Sequence, residues 1–461
     1  MLSNTNIKIP KRIKIRDYQK QAIQAWLSNS GCGVFEMATG TGKTITSICG
    51  MVKLLEQFQT NKMPCGLVIV LPYKVLLEQW EEALSEFGIY PLACYESRTK
   101  WLTRAEKSTD LFNKGHKKNL FLITTNATFF TDDFQEVLNS IKGNFMFCVD
   151  ELHHLTSEKA ISKLPSHATF RLGLSATLMS KWDMESMEKL IGYFKNGIVY
   201  EFTLKRAIEE GYLTPYYYHP IFVDLTDDEK LEYQLLSKKI GRVLNKDDSS
   251  DNNEILQSLL MKRARIINTA QKKYDALKSM KSQIVGTKYN LFYCGDTIEA
   301  DERYVEKINK LLAFNFRMKT HTFTSTENKE EREYVLDRFS RGEIEAITAI
   351  RCLDEGVDIP QLRRAFILSS GTNPREFVQR RGRILRKSEG KEFAEIYDFF
   401  VVPTLDEFEI RKMSSDELRT ERKIINREFE RFTEFADLAI NKEKAYKDII
   451  KIWNLYNNVG G

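Results

Sequence analysis

One short segment, residues 33–58, restricts the folds open to this chain more than any other. Residues 33–37 form an apolar run, Ala38-Thr-Gly-Thr-Gly-Lys-Thr44 follows, and apolar residues then recur at helical spacing from Ile45 to Phe58. This order is typical of a buried strand, a glycine-containing loop and a helix. Because the amides at such a helix start point towards one spot, the loop is expected to cradle phosphates. The segment therefore predicts an α/β fold that binds a nucleotide.

Side chains at the end of this loop complete the expected phosphate site. Lys43 is expected to reach the β- and γ-phosphates, and the Thr44 hydroxyl to bind Mg2+. Met37 stands where the strict pattern has its first glycine, so the turn is expected at Gly40. An ordinary loop of glycine and threonine is the alternative, which the strand before it and the helix after it disfavour. The other expected phosphate contacts come from the loop itself: Thr39, Gly40, Thr41 and Gly42.

A second apolar run, residues 145–149, ends abruptly in Asp150-Glu151-Leu152-His153. Such a run predicts an interior parallel strand, and ligands bind at the carboxyl ends of these strands. Two adjacent carboxylates there are costly unless a cation lies close by. We therefore expect Asp150 to hold the Mg2+ shell and Glu151 to polarise the attacking water. A solvated acidic turn is the alternative.

Two arginines form the third candidate group. Arg383 and Arg386 belong to Gln379-Arg-Arg-Gly-Arg-Ile-Leu-Arg386, and their i, i+3 spacing predicts that they share one helix face. A guanidinium is always charged and can bind phosphate oxygens through two N–H groups. We expect this pair to grip a polyphosphate from a second domain.

Two further segments carry a weaker signal. Arg16-Asp-Tyr-Gln19 precedes an apolar helical stretch, so its amide can read an adenine edge and its arginine can stack on the base, or it is simply a helix start. Residues 172–177, Leu-Gly-Leu-Ser-Ala-Thr, read as another strand that ends in small hydroxyl residues.

Composition limits the classes of protein that remain. For 461 residues, of which 42% are hydrophobic and 29% charged, a globular chain with sizeable cores is expected. A net charge of +5 permits a polyanionic partner without requiring one. The 7 cysteines form no CxxC pair, so neither a zinc knuckle nor a disulfide framework is indicated, and a reducing cytoplasm fits best. No apolar run approaches the roughly 20 residues of a membrane span, and the amino terminus lacks the apolar core of a signal peptide.

In order along the chain, these segments resemble the motifs of superfamily 2 helicases and translocases of the DExH type. Gln19 resembles the adenine-reading Q motif, and residues 37–44 resemble motif I. The other matching segments are residues 70–76 for motif Ia, 150–154 for motif II, 175–177 for motif III, 291–296 for motif IV, 349–360 for motif V and 379–386 for motif VI.

The resemblance implies a P-loop NTPase with two RecA-like α/β domains, ATP and Mg2+ in the cleft between them, and nucleic acid across their top. Lys43 and Glu151 are then catalytic. By the same resemblance Gln379 touches the γ-phosphate or its water, and Arg383 and Arg386 act as arginine fingers.

Other roles follow from the same resemblance. Gly356 and Asp358 are expected to contact the ribose, and Ser175 and Thr177 to couple hydrolysis to movement. Contacts to the nucleic-acid backbone are expected, by motif position, from Pro72, Lys74, Thr124, Thr125, Thr324, Ser325 and Arg351. Such contacts read charge and shape and do not read bases.

Four segments make up the expected organisation. They are an N-terminal RecA-like ATP-binding domain (1–212), a helical insertion (213–288), a C-terminal RecA-like domain (289–402) and a helical extension (403–461). Basic residues of the insertion are either a solvated face or a nucleic-acid contact. The extension either packs on its own motor domain or offers a docking surface to a partner or to DNA.

A finer resemblance is to helicases related to the type III restriction ATPase subunit and to phosphorothioation-linked restriction helicases. It is carried by residues 207–215, 352–360 and 431–441. It implies a DNA helicase or translocase in a restriction, phage-defence or repair setting. The sequence outside the motor motifs has no acidic-acidic-lysine segment typical of a nuclease, so any cutting is expected to need a separate polypeptide. An RNA helicase is one alternative, and an ATP-gated assembly subunit that barely translocates is another.

Overall fold

The computed structural model describes residues 7–176, 178, 184–195, 197–244, 250–295, 298–299, 302–324, 329–350, 359–369 and 374–457. By its internal contacts the chain divides into two compact units, Met1–Glu210 and Gly211–Gly461. Each unit is built on a parallel sheet of its own. The predicted fold class, two tandem α/β domains, is thereby confirmed.

Seven parallel strands form the sheet of the first unit. They are β1 (Cys32–Met37), β2 (Cys65–Leu71), β3 (Leu92–Cys94), β4 (Asn119–Thr125), β5 (Phe145–Val149), β6 (Phe170–Ser175) and β7 (Ile198–Phe202). Their order across the sheet is β3-β4-β2-β5-β6-β1-β7. The predicted strand at residues 145–149 is therefore an interior one, and all of its residues are buried.

Helices connect these strands and cover the sheet. They are α1 (Asp17–Ser28), α2 (Lys43–Thr60), α3 (Lys74–Glu86), α4 (Arg98–Asn113), α5 (Asn126–Phe129), α6 (Asp132–Asn139), α7 (Glu158–Ser162), α8 (Met184–Tyr193) and α9 (Leu204–Glu209). Helix α2 fulfils the helical spacing seen in the sequence, and its buried face includes Ile48, Val52 and Leu55.

The strand order places three strand ends side by side. Strand β6 lies between β5 and β1, with Gly173 opposite both Val149 and Val34, and Ser175 opposite Glu36. Because all three strands are parallel, their carboxyl ends meet at one edge of the sheet. That edge brings together the glycine loop, the end of β6 and the acidic pair.

The second unit contains a six-stranded parallel sheet. Its strands are β8 (Tyr216–Val223), β9 (Asn290–Tyr293), β12 (Thr320–Phe323), β13 (Ala346–Ala349), β14 (Arg364–Ile367) and β15 (Ala394–Val401), and a separate two-stranded hairpin is formed by β10 (Ile298–Glu299) and β11 (Glu302–Arg303). The order across the large sheet is β12-β13-β9-β14-β15-β8.

Strand β8 lies inside the segment that we expected to be helical. The helical part begins only at Asp227, because residues 216–223 pair in register with the whole of β15. Aromatic and β-branched residues dominate this stretch, and Tyr216 and Tyr218 are fully buried. Such residues suit a strand better than a helix.

Ten α-helices and a π-helix (Leu311–Asn315) complete the described part of the second unit. The α-helices are α10 (Asp227–Leu244), α11 (Ser250–Asn268), α12 (Gln271–Ser279), α13 (Lys281–Ile284), α14 (Tyr304–Lys310), α15 (Lys329–Ser340), α16 (Pro374–Ile384), α17 (Glu407–Lys412), α18 (Ser415–Ala436) and α19 (Lys442–Asn457).

The C-terminal helices pack on the sheet of their own unit. The Arg431 guanidinium on α18 lies 3.2 Å from the carboxylate of Asp398 on β15, which also accepts a hydrogen bond from the Tyr218 hydroxyl at 3.1 Å. The side-chain amide of Asn441 binds the main chain of β8 at Tyr218. Its oxygen accepts a hydrogen bond from the Tyr218 amide and its nitrogen donates one to the Tyr218 carbonyl, both at 2.8 Å. This is the first of the two arrangements considered for the extension.

Candidate nucleotide site

The glycine loop ends where helix α2 begins. Gly42 precedes the helix with φ +80° and Gly40 has φ +87°, a left-handed backbone that glycine adopts without strain. No described side chain caps the first amides of α2, so those N–H groups remain available to an anion. The Thr39 hydroxyl is buried and has no hydrogen-bond partner among the described residues. A loop with such donors fits a phosphate chain.

Lys43 extends from the first turn of α2 towards the acidic pair after β5. Its Nζ lies 3.6 Å from Glu151 Oε1 and 4.0 Å from Asp150 Oδ1. Its side chain is only 10% exposed, so this ion pair is shielded from water. The structure thus brings together the lysine and both carboxylates that the sequence placed far apart.

Asp150 is held in a buried position by two donors. Trp80 Nε1 donates to its Oδ2 at 2.9 Å, and the Glu151 amide donates to its Oδ1 at 2.9 Å. Burial raises the pKa of the Asp150 carboxyl above its ordinary value, while Lys43 and these hydrogen bonds oppose the rise. Carboxylate and hydroxyl oxygens are the ligands that Mg2+ prefers, so Asp150 with Thr44 fits that ion.

Glu151 has an unusual backbone. Its φ of +47° lies in the left-handed region, which a non-glycine residue enters at a cost. This conformation turns the chain immediately after β5, and the Glu151 carboxylate lies 3.5 Å from His153 Nδ1 as well as near Lys43. Backbone strain of this kind is found preferentially at functional sites.

The Arg16 to Gln19 segment lies against the glycine loop. The Gln19 side chain accepts a hydrogen bond from the Arg16 amide at 2.9 Å, and a Cβ at Gly42 would lie 3.0 Å from Gln19 Nε2. The Tyr18 hydroxyl donates to the Thr41 carbonyl, and its ring stacks on Phe202 with centroids 4.0 Å apart. The start of α1 is therefore both a helix start and a neighbour of the phosphate loop.

Ser175 ends β6 and is fully buried between the two halves of this site. It lies at the carboxyl edge where the loop and the acidic pair meet, whereas Thr177 falls outside the described residues.

The residues expected to contact nucleic acid are not equally accessible in the first unit. Lys74 is half exposed and pairs with Glu96 at 2.5 Å, whereas Pro72 is buried. Thr124 is fully buried and donates to the Cys94 carbonyl at 2.7 Å, and Thr125 caps helix α5. Both threonine side chains are therefore buried, with hydroxyl groups that hydrogen-bond within the unit.

In the second unit the structure corrects one prediction about the arginine pair. Helix α16 ends at Ile384, so Arg386 lies beyond it and does not share a helix face with Arg383. The last carbonyls are taken by other groups: the Thr214 amide donates to Leu385 at 2.7 Å, and the Lys391 ammonium donates to Ile384 and Arg386. The chain therefore leaves the helix before residue 386.

Several other expected residues belong to this unit. Gln379 lies on α16, although its side chain is outside the described residues, and Thr324 is a buried residue directly after β12. Ser325, Arg351, Gly356 and Asp358 fall outside the described residues.

Sequence reasoning missed three side chains at these sites. Trp80 supports Asp150, Tyr18 supports the glycine loop, and Lys391 binds the end of α16. Trp80 and Lys391 lie outside the motif segments, and Tyr18 lies within the Arg16 to Gln19 segment without an expected role of its own. Each acts on a partner that is distant in sequence or lies across a turn. Among the described residues no group of three or more His, Cys, Asp or Glu side chains is placed to hold a metal ion, and no described helix has the length and apolar character to cross a membrane.

Two family models match the chain. Residues 12–180 match the model described as type III restriction enzyme, res subunit, and residues 254–388 match the helicase conserved C-terminal domain. Together the two matches span more than half of the chain.

Curated relatives are similar over most of this chain. The DNA 3'-5' translocase XPB2 of Sulfurisphaera tokodaii is 27% identical over 402 residues, which cover 83% of this chain and 80% of the relative. The DNA 3'-5' helicase XPB of Mycobacterium tuberculosis is 22% identical over 392 residues, 82% of this chain and 59% of the relative. The chain thus spans well under two thirds of the second relative.

Solved structures share the fold. The ATP-dependent type ISP restriction-modification enzyme LlaBIII bound to DNA has a TM-score of 0.61 and 18% identity, over 98% of this chain and 33% of that one. The Hef helicase domain of Pyrococcus furiosus has a TM-score of 0.51 and 17% identity, over 86% of this chain and 97% of that one.

Proposed function

We propose that this chain, which belongs to the superfamily 2 helicases and is related to the ATPases of restriction enzymes, couples ATP hydrolysis to movement along DNA. One observation carries the proposal more than any other. The ammonium of Lys43, at the start of α2, meets Asp150 and Glu151 at the end of β5 in a shielded position. A phosphate loop joined in this way to a DExH acidic pair is the hydrolytic half of a nucleic-acid motor.

The first unit supplies the groups that bind the triphosphate. The free amides at the start of α2, Thr39 and Lys43 would hold the phosphates, and Thr44 and Asp150 would hold Mg2+, which offsets phosphate charge. Lys43 now neutralises two carboxylates, so its ammonium would be shared with the phosphates once nucleotide binds. Glu151 is then the group that orients the attacking water.

The second unit supplies the cations that act on the transition state. In the proposal Arg383 and Arg386 stabilise the charge that develops on the γ-phosphate, and Gln379 contacts this phosphate or the water. Arg383 lies in the last turn of α16, whereas Arg386 lies in the loop after the helix. The main chain that carries the two guanidiniums is therefore helical for one and irregular for the other. We therefore expect unequal contributions from them.

Adenine selection is proposed for the segment before the loop. Gln19 is held by the Arg16 amide through its carbonyl oxygen, which leaves its amide nitrogen facing the glycine loop. An amide donor fixed in this place can read a purine edge. Gly356 and Asp358 are proposed to contact the ribose. Ser175, with Thr177, is proposed to couple ATP hydrolysis to movement along the polymer.

DNA is proposed as the polymer because the curated relatives are named as DNA translocases and helicases. The accessible cation Lys74 and the proposed contacts at Pro72, Thr324, Ser325 and Arg351 would grip the backbone and not the bases. With Thr124 and Thr125 buried, contact at the end of β4 would involve main-chain atoms.

A polymer-stimulated ATPase series tests this proposal. Turnover is measured without polymer and with single-stranded DNA, duplex DNA, forked DNA and RNA. The polymers are compared at equal concentrations of nucleotide residues and at one salt concentration. Stimulation by DNA well above that by RNA supports the proposal. Greater stimulation by RNA would establish an RNA helicase, and a rate indifferent to every polymer would favour an ATP-gated assembly subunit.

The cellular setting is proposed from the same relationships. A restriction, phage-defence or repair role in the cytoplasm, alongside a nuclease on a separate polypeptide, fits the matched restriction-subunit model. This is tested by isolating the chain from its native cells with and without DNase treatment. A nuclease that is retained after the DNA is removed supports a protein partner. Loss of the nuclease would show that DNA alone held the two proteins together.

A further inference from the structure

The ammonium group of Lys391 lies against the carboxyl end of helix α16. Its Nζ donates hydrogen bonds to three main-chain carbonyl oxygens, of Ile384 at 2.5 Å, Arg386 at 2.7 Å and Pro360 at 3.3 Å. An ammonium has three N–H donors, so each has a main-chain acceptor here. The residue is only 7% exposed.

These carbonyls belong to two segments that the proposed function uses. Ile384 and Arg386 are the residues over which the chain leaves α16, next to Arg383. Pro360 ends the segment 349–360, which includes the proposed ribose contacts. One side chain therefore joins the end of the ribose segment to the main chain that carries both arginines.

A tight turn returns Lys391 to this position. The Lys391 amide donates to the Ser388 carbonyl at 3.2 Å, and Gly390 has φ +67°. The Gly390 carbonyl in turn accepts from Arg363 Nη2 at 2.9 Å, and a Cβ on Gly390 would come within 3.3 Å of that nitrogen. The turn therefore favours glycine, and Arg363, directly before β14, binds its main chain.

A cation in this place is electrostatically costly. Burial, together with the positive charges of Arg363 and Arg386, lowers the pKa of the Lys391 ammonium to about 7. The acidic residues of the turn, Glu389 and Glu392, are exposed to solvent. The carbonyl end of a helix favours a cation, and an anion bound by Arg386 would offset the remaining repulsion. The terminal phosphates of ATP are such an anion.

We infer that Lys391 is a positioning residue for ATP hydrolysis, which fixes the main chain carrying Arg383 and Arg386 by binding three of its neighbouring carbonyls. The inference rests on the proposed role of these arginines. Lys391 itself does not touch the nucleotide. Its loss should therefore affect the transition state more than the binding of ATP.

The test compares Lys391→Met and Lys391→Arg with Lys387→Met, which removes an exposed lysine of the same turn. Steady-state turnover and the affinity for a fluorescent Mg-nucleotide are measured for each. Lys391→Met is expected to lower kcat about tenfold or more, with KM and nucleotide affinity changed less than about threefold. Lys391→Arg, which keeps a cationic donor, should recover part of kcat, and Lys387→Met should match the unmodified protein.

A pH profile separates positioning from a general structural role. Below the pKa of about 7 the ammonium has three donors, whereas the neutral amine above it has two and a lone pair that faces carbonyls. The ratio of kcat/KM between the unmodified protein and Lys391→Met, which reports on the nucleotide-free protein, should therefore fall as the pH rises through this value. The same ratio for Lys387→Met should stay flat.

Two results would overturn the inference. One is an unchanged kcat in Lys391→Met. The other is a loss of kcat that tracks thermal stability equally in Lys391→Met and Lys391→Arg, with a ratio independent of pH. If Lys391→Met does not fold, Lys391→Arg and the pH profile of the unmodified protein replace it. Normal turnover by Lys391→Arg at unchanged thermal stability, together with a profile that is flat around the pKa of Lys391, would then overturn the inference. Basal turnover suffices for these comparisons, so an absence of DNA stimulation would count against the proposed function alone.

Discussion

The guanidinium of Arg381 on helix α16 is bound to the carboxylate of Glu434 on helix α18 at 2.5 Å. It also donates to the Glu434 carbonyl and, at 3.4 Å, to the Tyr216 hydroxyl, and it lies over the Phe435 ring. Arg381 is 2% exposed, so its cation depends on these acceptors. Since Arg381 and Arg383 are separated only by Gly382, the C-terminal extension supports the segment that carries the proposed arginine fingers.

We expect Glu434→Ala to lower the free energy of unfolding of the second unit by about 1 to 2 kcal/mol, because a buried guanidinium loses one of its acceptors while the main-chain carbonyl remains. Urea unfolding followed by tryptophan fluorescence measures the change. Glu430→Ala, an exposed glutamate on the same helix, is the control. An equal loss in both variants would show that the bridge contributes nothing specific.

Lys43→Ala is expected to abolish ATP turnover, since it removes the cation that is shared between the phosphates and the two carboxylates. The decrease should exceed about a thousandfold. Lys53→Ala, later on the same helix, should retain turnover. Normal hydrolysis by Lys43→Ala would refute the assignment of the phosphate loop.

Glu151→Gln should separate binding from hydrolysis. The amide keeps the size of the side chain but cannot accept a proton, so Mg-ATP should bind while turnover stops. The variant is expected to stay on DNA in the presence of ATP, which gel-shift lifetimes with and without nucleotide would measure. Failure to bind nucleotide would instead make Glu151 a structural residue of the loop.

Trp80→Phe should weaken Mg2+ binding, although Trp80 itself is not a proposed ligand of the ion. The indole N–H donates to Asp150 and helps to keep its carboxyl deprotonated, so its removal should raise the pKa of Asp150 further. The Mg2+ concentration for half-maximal turnover should rise about tenfold, as for other residues that orient a metal ligand, and the rise should be larger at lower pH. Trp453→Phe, a partly exposed tryptophan in the second unit, should leave it unchanged.

Arg383→Ala is expected to reduce turnover on the order of 10³-fold while most of the nucleotide affinity is retained, because a finger is felt mainly in the transition state. Single-turnover hydrolysis and equilibrium nucleotide binding should be measured on the same preparation. A parallel decrease in both quantities would argue for a binding role.

The sequence predicted those parts of the structure that depend on residues close together along the chain. The glycine loop, helix α2 and strand β5 follow from short runs whose spacing determines their conformation, whereas the two parallel-sheet domains were implied by the resemblance of the motifs to those of superfamily 2 helicases. Arg386 was misplaced because the end of α16 is set by Lys391 and Thr214, which no helical spacing reveals. The support of Asp150 by Trp80 likewise depends on two elements that meet only in the folded sheet.

Strand β8 also determines when the second unit can complete its fold. The Tyr216 hydroxyl donates to the Phe435 carbonyl across 219 residues of sequence, and the strand partner β15 ends only at Val401. At ribosomal rates of about 5 to 20 residues per second, the aromatic strand waits on the order of 10 to 40 s for these partners. Throughout that interval it is an aromatic segment with unpaired main-chain groups, the kind of segment that recruits chaperones or aggregates. A nascent chain stalled before residue 394 is therefore expected to expose it.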